Sequence, residues 1–484
     1  MKKRLIKALM IVTVAAAVLC GCSKKDEGKV KLDPNNPVSL TVWHYYNGAQ
    51  QAAFDQLVEE FNASKGKEIG IYVEGYSQGS VMDLEKAISD SAAGKVGAQE
   101  MPDIFSTYAD TAYELQKDGK LAKLNAYFTP EEQAQYVDAY ISEGYFTEED
   151  LYLFPIAKST EIMMLNVTDW EPFAAATGSK VEELATVEGV TEVAKRYYEW
   201  TDSLTPDVEG DGKAFYGRDS MSNYFVIGMK QMGVEIFDAK NGVVTLRPDK
   251  DKIKRLWENY YVPYVNGYFT SFGKFRSDDV KTGDIIAYTG STSSAMYFPD
   301  EVVLDDGSKA IDYMVLAAPC MEGGENYNVQ QGAGMAVVAS DAQHEYAACE
   351  FMKWFTEKEN NIRFAAASSY FPVRKDANTV PAVDEVVAKE NLKMNPKTYD
   401  CMKNILGRYD TIKFYTPKSF SNGFATRKVL DYNLSDKAVA DRALIDEQVA
   451  AGANRSEATA PFVTDEAFEA WYEEFCNALN NAAK

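Results

Sequence analysis

Residues 38–73 read VSLTVWHYYNGAQQAAFDQLVEEFNASKGKEIGIYV, and their apolar periodicity changes twice. Alternating apolar residues over 40–42 predict a strand that ends at Trp43, apolar residues over 54–61 recur at helical spacing, and alternation returns over 69–73. Strand, helix and strand at this spacing predict a βαβ unit.

Short apolar runs predict further elements along the chain. Strands are expected at 104–105, 162–165, 285–288, 313–316 and 335–338, and helices at 111–117, 130–141, 348–355 and 468–475. Strands and helices alternate, so we expect an α/β protein with two sheets and not a repeat array.

The N-terminus resembles a bacterial lipoprotein signal. A basic start and an apolar run over 8–19 lead to the small Gly21 and then Cys22. This pattern is typical of a cleavable export signal, and the run is shorter than the ~20 residues that span a bilayer. We therefore expect residues 1–21 to be a signal peptide and Cys22 to carry lipid, such as palmitate, at the extracytoplasmic face of the cell membrane. The alternative is an uncleaved apolar N-terminus with an incidental cysteine.

Residues 22–37 lack apolar periodicity and predict a flexible tether.

Composition narrows the classes of partner. With 50 basic and 73 acidic residues, the net charge is −23, which disfavours nucleic acid and anionic lipid surfaces as partners. The sequence leaves open whether Cys320, Cys349, Cys401 and Cys476 form disulfides.

Six segments resemble, in order, the extracellular solute-binding proteins of bacterial ABC importers, of the maltodextrin-binding type. They are residues 40–44 with 59–62, 101–105, 154–160 with 165–166, 283–287 with 290–292, 332–337, and 347–355 with 370–374. The resemblance implies a type II periplasmic-binding-protein fold, in which three crossover segments join two lobes around a ligand cleft. The third, fourth and fifth of the six segments resemble these crossovers. It places residues 38–155 and 290–332 in lobe 1, and residues 156–289 and 333–484 in lobe 2.

The candidate ligand contacts are aromatic or short polar residues at strand ends and crossovers. They are Trp43, Tyr45, Tyr76, Tyr108, Asp110, Lys158, Ser159, Ser291, Thr292, Gly332, Tyr370 and Arg374. Ligands of open α/β sheets bind outside the carboxyl ends of strands, and aromatic platforms with polar neighbours suit the apolar faces and hydroxyls of sugars. The alternatives are core packing for the aromatics, a helix N-cap for Asp110, hinge hydrogen bonds at the crossovers and a loop anchor for Arg374.

Three motifs resemble metal or nucleotide sites, but each lacks a residue that such a site requires. Residues 207–212 resemble the start of a calcium loop, but Arg218 stands where the bidentate glutamate belongs. The pair His344-Glu345 begins like a zinc-binding helix motif but has Ala348 where the second histidine belongs, and residues 332–334 lack the third glycine of a dinucleotide loop. We expect no metal and no cofactor.

These observations predict a lipid-anchored, monomeric, non-enzymatic receptor that captures a carbohydrate, most readily an oligosaccharide, and delivers it to an ABC permease. A glycerophosphate receptor of the same superfamily is the alternative, although Ala425 stands where that branch places an arginine, with Arg427 displaced by two. A secreted glycoside hydrolase with paired carboxylates, or an adhesin or chemoreceptor partner, remains open.

Overall fold

The structure is a computed structural model that describes residues 30–208, 210–240, 242–305 and 307–484. The expected signal peptide, Cys22 and the first part of the tether lie outside these residues. Within the described ranges, no helix has both the length and the apolar character needed to cross a membrane.

The strands are numbered in chain order. They are β1 (Val38–His44), β2 (Ile71–Ser77), β3 (Ile104–Thr107), β4 (Leu153–Pro155), β5 (Glu161–Asn166), β6 (Tyr216–Arg218), β7 (Phe237–Lys240), β8 (Val243–Leu246), β9 (Ala287–Ser291), β10 (Glu301–Leu304), β11 (Gly307–Ala310), β12 (Tyr313–Ala317), β13 (Tyr327–Val329), β14 (Gly334–Val337) and β15 (Lys413–Tyr415).

The helices are numbered in the same way. They are α1 (Gly48–Ala63), α2 (Lys65–Ile69), α3 (Val81–Ala92), α4 (Ala109–Lys117), α5 (Pro130–Gln133), α6 (Asp138–Ser142), α7 (Val167–Thr177), α8 (Val187–Ser203), α9 (Met221–Gln231), α10 (Lys250–Glu258), α11 (Tyr261–Val265), α12 (Arg276–Thr282), α13 (Ala342–Phe355), α14 (Lys358–Ser368), α15 (Val380–Lys389), α16 (Pro396–Leu406), α17 (Gly423–Ala450), α18 (Arg455–Thr459) and α19 (Asp465–Ala482).

The first lobe is built on the sheet β2-β1-β3-β14-β4. Strand β1 runs parallel to β2 and β3, while β14 is antiparallel to β3 and β4. The apolar stripe of α1, including Phe54 and Phe61, is fully buried in the core of this lobe. The predicted βαβ unit is confirmed, with Ile69 closing α2 and the second strand starting after Gly70.

The second lobe is built on the sheet β12-β5-β9-β6. Strand β5 is antiparallel to β12 and β9, and β6 is parallel to β9. The long helix α17 and the C-terminal α19 pack on this lobe through buried residues such as Leu430 and Trp471. The predicted α/β class is confirmed, with one main sheet in each lobe. The prediction of two sheets falls short, because three two-stranded sheets, β7-β8, β10-β11 and β13-β15, are also present among the described residues.

Sheet membership corrects the predicted lobe boundaries. Strand β12, expected in lobe 1, pairs with β5 in the second lobe, and β14, expected in lobe 2, pairs with β3 and β4 in the first. The reason is that residues 290–292 are not a crossover. Strand β9 pairs with both β5 and β6 and continues into a 3-10 turn that begins at Thr292. The chain therefore stays in the second lobe there.

Three connections between the lobes run side by side at residues 156–160, 330–333 and 369–374, which moves the last crossover to the Tyr370 region. Lys158 and Phe371 exchange backbone hydrogen bonds of 3.1 and 2.6 Å, and Ser159 and Gln331 exchange bonds of 2.8 and 3.0 Å. Because each connection is bonded to its neighbour, the lobes are joined by a three-stranded hinge.

The predicted helix over 130–141 is wrong in one respect, because it is broken into α5 and α6. The backbone N–H of Val137 donates to the carbonyl of Val373 at 3.0 Å, instead of to a carbonyl of its own segment. This bond to the hinge region interrupts the helical ladder, and nothing local in the sequence specifies it.

Candidate functional site

A cavity of about 270 Å³ lies between the two lobes. The first lobe contributes residues from α3, the N-terminus of α4 and the end of α6, and the second lobe contributes the N-terminal turns of α9 and α17. Its polar and aromatic lining includes Glu85, Tyr108, Asp110, Glu143, Ser222, Asn223, Gln330, Gln331, Phe424, Arg427 and Asp431. Both lobes and one hinge connection therefore meet a single space.

An ion pair joins the lobes at this cavity. Arg427 donates from Nε to Oδ2 of Asp110 at 2.7 Å, and both side chains are largely shielded from solvent. Nearby, the backbone N–H of Asn422 donates to Glu114 Oε1 at 3.1 Å, and Lys117 Nζ donates to Ser421 Oγ at 2.8 Å. Helix α4 of the first lobe is thus hydrogen-bonded to the segment where α17 of the second lobe begins.

Close approach explains the glycine at the start of α17. A Cβ on Gly423 would lie 2.8 Å from Asp110 Oδ1, a distance that real Cβ contacts do not adopt. Only a residue without a side chain lets α17 approach the carboxylate this closely. The Asp110–Arg427 pair and Gly423 therefore belong to one interlobe contact.

Amide side chains of the cavity are held by buried charges. Asn223 Nδ2 donates to Glu161 Oε1 at 2.9 Å and to Gln331 Oε1 at 3.0 Å. Glu161 is itself paired with Arg218 at 3.0 Å, and both are buried. Both amide hydrogens of Asn223 are therefore engaged within the protein, so its side chain can offer a ligand only its oxygen.

The hinge is anchored by a buried lysine next to the cavity. Lys158 Nζ donates to Glu143 Oε2 at 2.7 Å and to the carbonyl of Gly332 at 2.9 Å. Gln330 Nε2 donates to the same Glu143 oxygen at 2.6 Å. Glu143 therefore has two donors on one oxygen, and Lys158 serves the hinge instead of facing the cavity.

Glu85 and Tyr108 give the first-lobe wall a polar and an aromatic group. Burial raises the pKa of Glu85, while hydrogen bonds from Thr111 and Thr107 oppose the shift. Tyr108 is 40% exposed and lies just after β3, at the carboxyl end of its strand. This wall presents an acceptor beside an aromatic surface.

The remaining aromatic candidates lie outside this lining. Trp43 is 5% exposed and packs in the core of the first lobe. Tyr45 and Tyr370 are also buried, and their hydroxyls are 3.3 Å apart. Burial raises the pKa of Tyr45, and the nearby Tyr370 and Tyr108 raise it further. Tyr76, paired with Trp43 in the β1–β2 register, is exposed.

The candidate residues at the predicted crossovers mainly make hydrogen bonds within the protein. Ser159 is bonded through its backbone to Gln331, and the backbone N–H of Thr292 donates to Thr160 O at 2.8 Å. Ser291 Oγ lies 2.9 Å from Ser293 Oγ. Gly332 has a φ of +96°, and a Cβ at this position would lie 2.9 Å from the carbonyl oxygen of Ala157. Its conformation, and not ligand contact, accounts for the glycine.

Arg374 pins its own loop, as the alternative interpretation holds. Its Nε and Nη2 donate to the two oxygens of Asp376 at 3.0 and 2.8 Å. Asp110 is not the N-cap of its helix, because Tyr108 occupies that position and Asp110 lies in the first turn. Of the twelve predicted ligand contacts, Tyr108 and Asp110 line the cavity.

Sequence reasoning missed most of the lining from the second lobe. Phe424 and Arg427 lie in the tail segment that resembles the glycerophosphate branch, so the signal for them is that motif. Asn223, Gln330 and Gln331 carry no local signal, because helix α9 and the hinge reach the cavity only through the tertiary fold.

The cysteines and the acidic turn have structural roles within the described residues. The four cysteines after the tether are free thiols. In the 207–212 turn, Asp202 Oδ1 accepts the backbone N–H groups of Gly210 and Asp211 at 2.7 and 2.8 Å. Over the described ranges, no group of three His, Cys, Asp or Glu side chains is arranged to hold a metal ion.

A family model described as "Bacterial extracellular solute-binding protein" matches residues 56–394. No curated protein sequence matches the chain significantly.

Solved structures match almost the whole chain at low sequence identity. The cyclic α-maltosyl-1,6-maltose binding protein from Arthrobacter globiformis has a TM-score of 0.62 and 18% identity, covering 93% of this chain and 100% of its own. UgpB from Mycobacterium tuberculosis in complex with glycerophosphocholine has a TM-score of 0.65 and 15% identity, covering 92% and 100%. The maltose/maltodextrin-binding domain MalE from Bdellovibrio bacteriovorus bound to maltotriose has a TM-score of 0.60 and 13% identity, covering 91% and 100%. At these identities the likeness concerns the fold.

Proposed function

Since the chain belongs to the bacterial extracellular solute-binding protein family, we propose that it is the receptor of an ABC importer and that its solute is a neutral oligosaccharide. The observation that carries this proposal is the interlobe cavity, to which both lobes and the hinge contribute side chains. A ligand that touches both lobes stabilises the closed arrangement over the open one.

The chemistry of the lining favours carbohydrate. Carboxylates and amides accept and donate hydrogen bonds to hydroxyls, and Tyr108 and Phe424 offer apolar surfaces for the faces of a sugar ring. Two solved structures of similar fold were obtained with, or are described as binding, maltose-type sugars. These similarities support carbohydrate as the ligand class.

The cavity suits phosphate less well, although UgpB was solved with glycerophosphocholine. Arg427 is already paired with Asp110. The backbone N–H of Ser222, in the first turn of α9, donates to Asp431 Oδ1 at 2.7 Å and is not free for a phosphate. Four carboxylates line the cavity against two cations, Arg427 and Lys428. An anionic ligand would be repelled there.

The proposal extends to the place and partners of the protein. Lipid attached at Cys22 and the tether to residue 37 keep a monomeric receptor close to its permease, which raises its local concentration without contributing to ligand affinity. We assign no chemistry to the receptor, so a bound glycan should be released unchanged.

The test is a thermal-shift screen of the mature chain against mono- and oligosaccharides, glycerophosphates and polyols. A ligand that binds only the folded state raises the melting temperature by mass action, and we expect neutral oligosaccharides to do so. Stabilisation by glycerophosphates alone would replace the proposed ligand class. Chromatography of the glycan after long incubation checks the absence of hydrolysis, because cleavage would contradict a pure receptor.

A further inference from the structure

Glu143 connects the interlobe cavity to the hinge. It follows the last residue of α6, in the first lobe, and lines the cavity. Its Oε2 accepts hydrogen bonds from Lys158 Nζ at 2.7 Å and from Gln330 Nε2 at 2.6 Å. Lys158 and Gln330 lie on two different hinge connections, 156–160 and 330–333. One carboxylate oxygen therefore holds two of the three connections together.

The other oxygen of Glu143 has no such task. Among the described residues Oε1 has no hydrogen-bond partner, and the protein does not enclose it completely. An ionised carboxylate accepts hydrogen bonds through both oxygens. Burial raises the pKa of the Tyr108 hydroxyl, and the charge of Glu143 is among those that raise it further, so this carboxylate lies near the aromatic group of the cavity wall. Oε1 is therefore an unused acceptor at the cavity.

The bond from Gln330 spans the boundary between the lobes. Val329, the residue before it, packs in the core of the second lobe, while Tyr140 of α6 packs in the core of the first. Gln330 Nε2 also donates to the carbonyl of Ala139 in α6 at 3.0 Å. Opening of the cleft turns the hinge connections. The bond between Gln330 and Glu143 therefore depends on the angle between the lobes.

The other carboxylates of the cavity lack this link to the hinge within the described residues. Asp110 is paired with Arg427 of α17, and Asp431 accepts a backbone N–H at the start of α9. Glu85 Oε1 accepts the hydroxyl of Thr107 at 3.2 Å. Of the four carboxylates that line the cavity, only Glu143 is bonded to residues of the hinge connections.

We propose that Glu143 couples ligand binding to closure of the lobes: Oε1 accepts one hydroxyl of the sugar, while Oε2 holds Lys158 and Gln330 in the closed hinge. Both sets of bonds orient the same carboxylate, so each makes the other more favourable. The inference rests on the proposed function and names the residue through which the ligand acts on the hinge.

The first experiment asks whether Glu143 recognises one hydroxyl. The mature chain is titrated calorimetrically with the maltose- or mannose-type oligomer, from disaccharide to hexasaccharide, that raises its melting temperature most, and with the monodeoxy derivatives of that oligomer. For wild type, removal of the hydroxyl that meets Glu143 should weaken binding at least about tenfold, as for loss of a hydrogen bond to a charged group. Glu143→Gln keeps the shape and removes the charge, so this penalty should be at least about threefold smaller. Glu85→Gln should leave the penalty for that hydroxyl unchanged.

A second variant covers the case in which Lys158 without its partner prevents folding. Glu143→Met combined with Lys158→Met replaces the buried pair by apolar side chains of similar length, a change that is often neutral for stability. This variant has no acceptor at position 143, so the penalty for removal of that hydroxyl should shrink to about twofold or less.

The second experiment asks whether the same residue acts on the hinge. Gln330→Met removes the bond between the lobes and leaves Lys158 paired with Glu143. Because the two contacts are coupled, Gln330→Met combined with Glu143→Gln should bind at least about threefold more tightly than the product of the two single losses predicts. Glu85→Gln is the matched control, because no described bond joins Glu85 to the hinge, so its loss should multiply with that of Gln330→Met.

Three results would contradict the inference in distinguishable ways. If every hydroxyl carries the same penalty in wild type and in both Glu143 variants, Glu143 does not contact the ligand. If the losses of Glu143→Gln and Gln330→Met multiply, Glu143 does not link the ligand to the hinge. Either result overturns the coupling and leaves the receptor function intact, whereas binding of none of the oligomers by wild type would overturn the proposed function and the coupling with it.

Discussion

Arg427 of the second lobe and Asp110 of the first lobe form a 2.7 Å ion pair across the cleft, with Asp110 more than nine-tenths shielded from solvent. The pair belongs to the contact that brings α4 and the start of α17 together. It exists only while the lobes are close, so it favours the closed arrangement over the open one.

The first prediction concerns this pair. Arg427→Ala leaves a shielded carboxylate without its partner, and such losses cost ~2–5 kcal/mol in the state where the pair forms. We expect a larger radius of gyration for the ligand-free protein by small-angle X-ray scattering, and ligand affinity reduced at least tenfold. Lys428→Ala is the control, because this lysine lines the same cavity without an ion pair among the described residues. An unchanged radius together with unchanged affinity would show that the pair does not hold the lobes together.

The second prediction separates two roles for Trp43. Because Trp43 is buried in the first-lobe core, Trp43→Ala should lower the free energy of unfolding by ~3–5 kcal/mol. Affinity of the folded fraction should change little. Chemical denaturation and titration calorimetry measure the two quantities. If Trp43→Ala has normal stability but binds ligand weakly, Trp43 belongs to the binding site and not to the core.

The third prediction tests the hinge at Gly332. A Cβ there would lie 2.9 Å from the carbonyl oxygen of Ala157, and an L-residue at φ +96° is strained as well. Gly233 has a φ of +82° with nothing within 4 Å of its Cβ position, so Gly233→Ala measures the backbone strain alone, ~1–2 kcal/mol. Gly332→Ala should cost ~1–3 kcal/mol more because of crowding. Equal melting temperatures for the two variants would refute the crowding.

The fourth prediction is a pH dependence from His44. Burial lowers the pKa of His44 to about 4 from 6.5, so the folded protein excludes a proton that the unfolded chain binds below pH 6.5. Stability from this group is complete above pH 6.5 and is lost as the pH falls toward 4, by ~3 kcal/mol in all.

Comparison of variants isolates this contribution from that of the carboxylates. His44→Phe should reduce the loss of unfolding free energy between pH 7 and pH 4.5 by ~2–3 kcal/mol relative to wild type. Phe54→Leu disturbs packing against the same ring, which is 4.6 Å away, and should keep the wild-type slope. Parallel pH profiles for wild type and His44→Phe would contradict the assignment.

The fold was predictable where local pattern and tertiary structure agree. The alternation around Trp43 and the helical stripe from Phe54 to Phe61 both reflect one buried face, so each element could be identified from its period. Lobe membership was harder. Ser291 and Thr292 resemble a crossover in sequence, but pairing of β9 with β5 and β6 keeps them in the second lobe. The sequence of one strand does not determine which strands it pairs with.

The site was predictable only in part, for a related reason. Tyr108 and Asp110 follow a strand end, a position that sequence marks. Lys158 also lies at a crossover, but its amine donates hydrogen bonds to Glu143 and to the carbonyl of Gly332. Whether a polar side chain faces a ligand or its own hinge depends on tertiary contacts, such as the one between Lys158 and Gly332, which are 174 residues apart in the chain.

The most direct measurement of the central claim is isothermal titration of wild type and Tyr108→Ala with the neutral oligosaccharide that stabilises the protein most. Tyr108 lines the interlobe cavity and is 40% exposed. Its removal should therefore weaken binding up to about tenfold, in line with ~0.5–1.5 kcal/mol for an aromatic contact, and change the ligand-free melting temperature little. We expect one binding event per chain and that loss of affinity. Absence of oligosaccharide binding by wild type, or equal binding by Tyr108→Ala, would contradict a carbohydrate receptor that holds its ligand between the lobes.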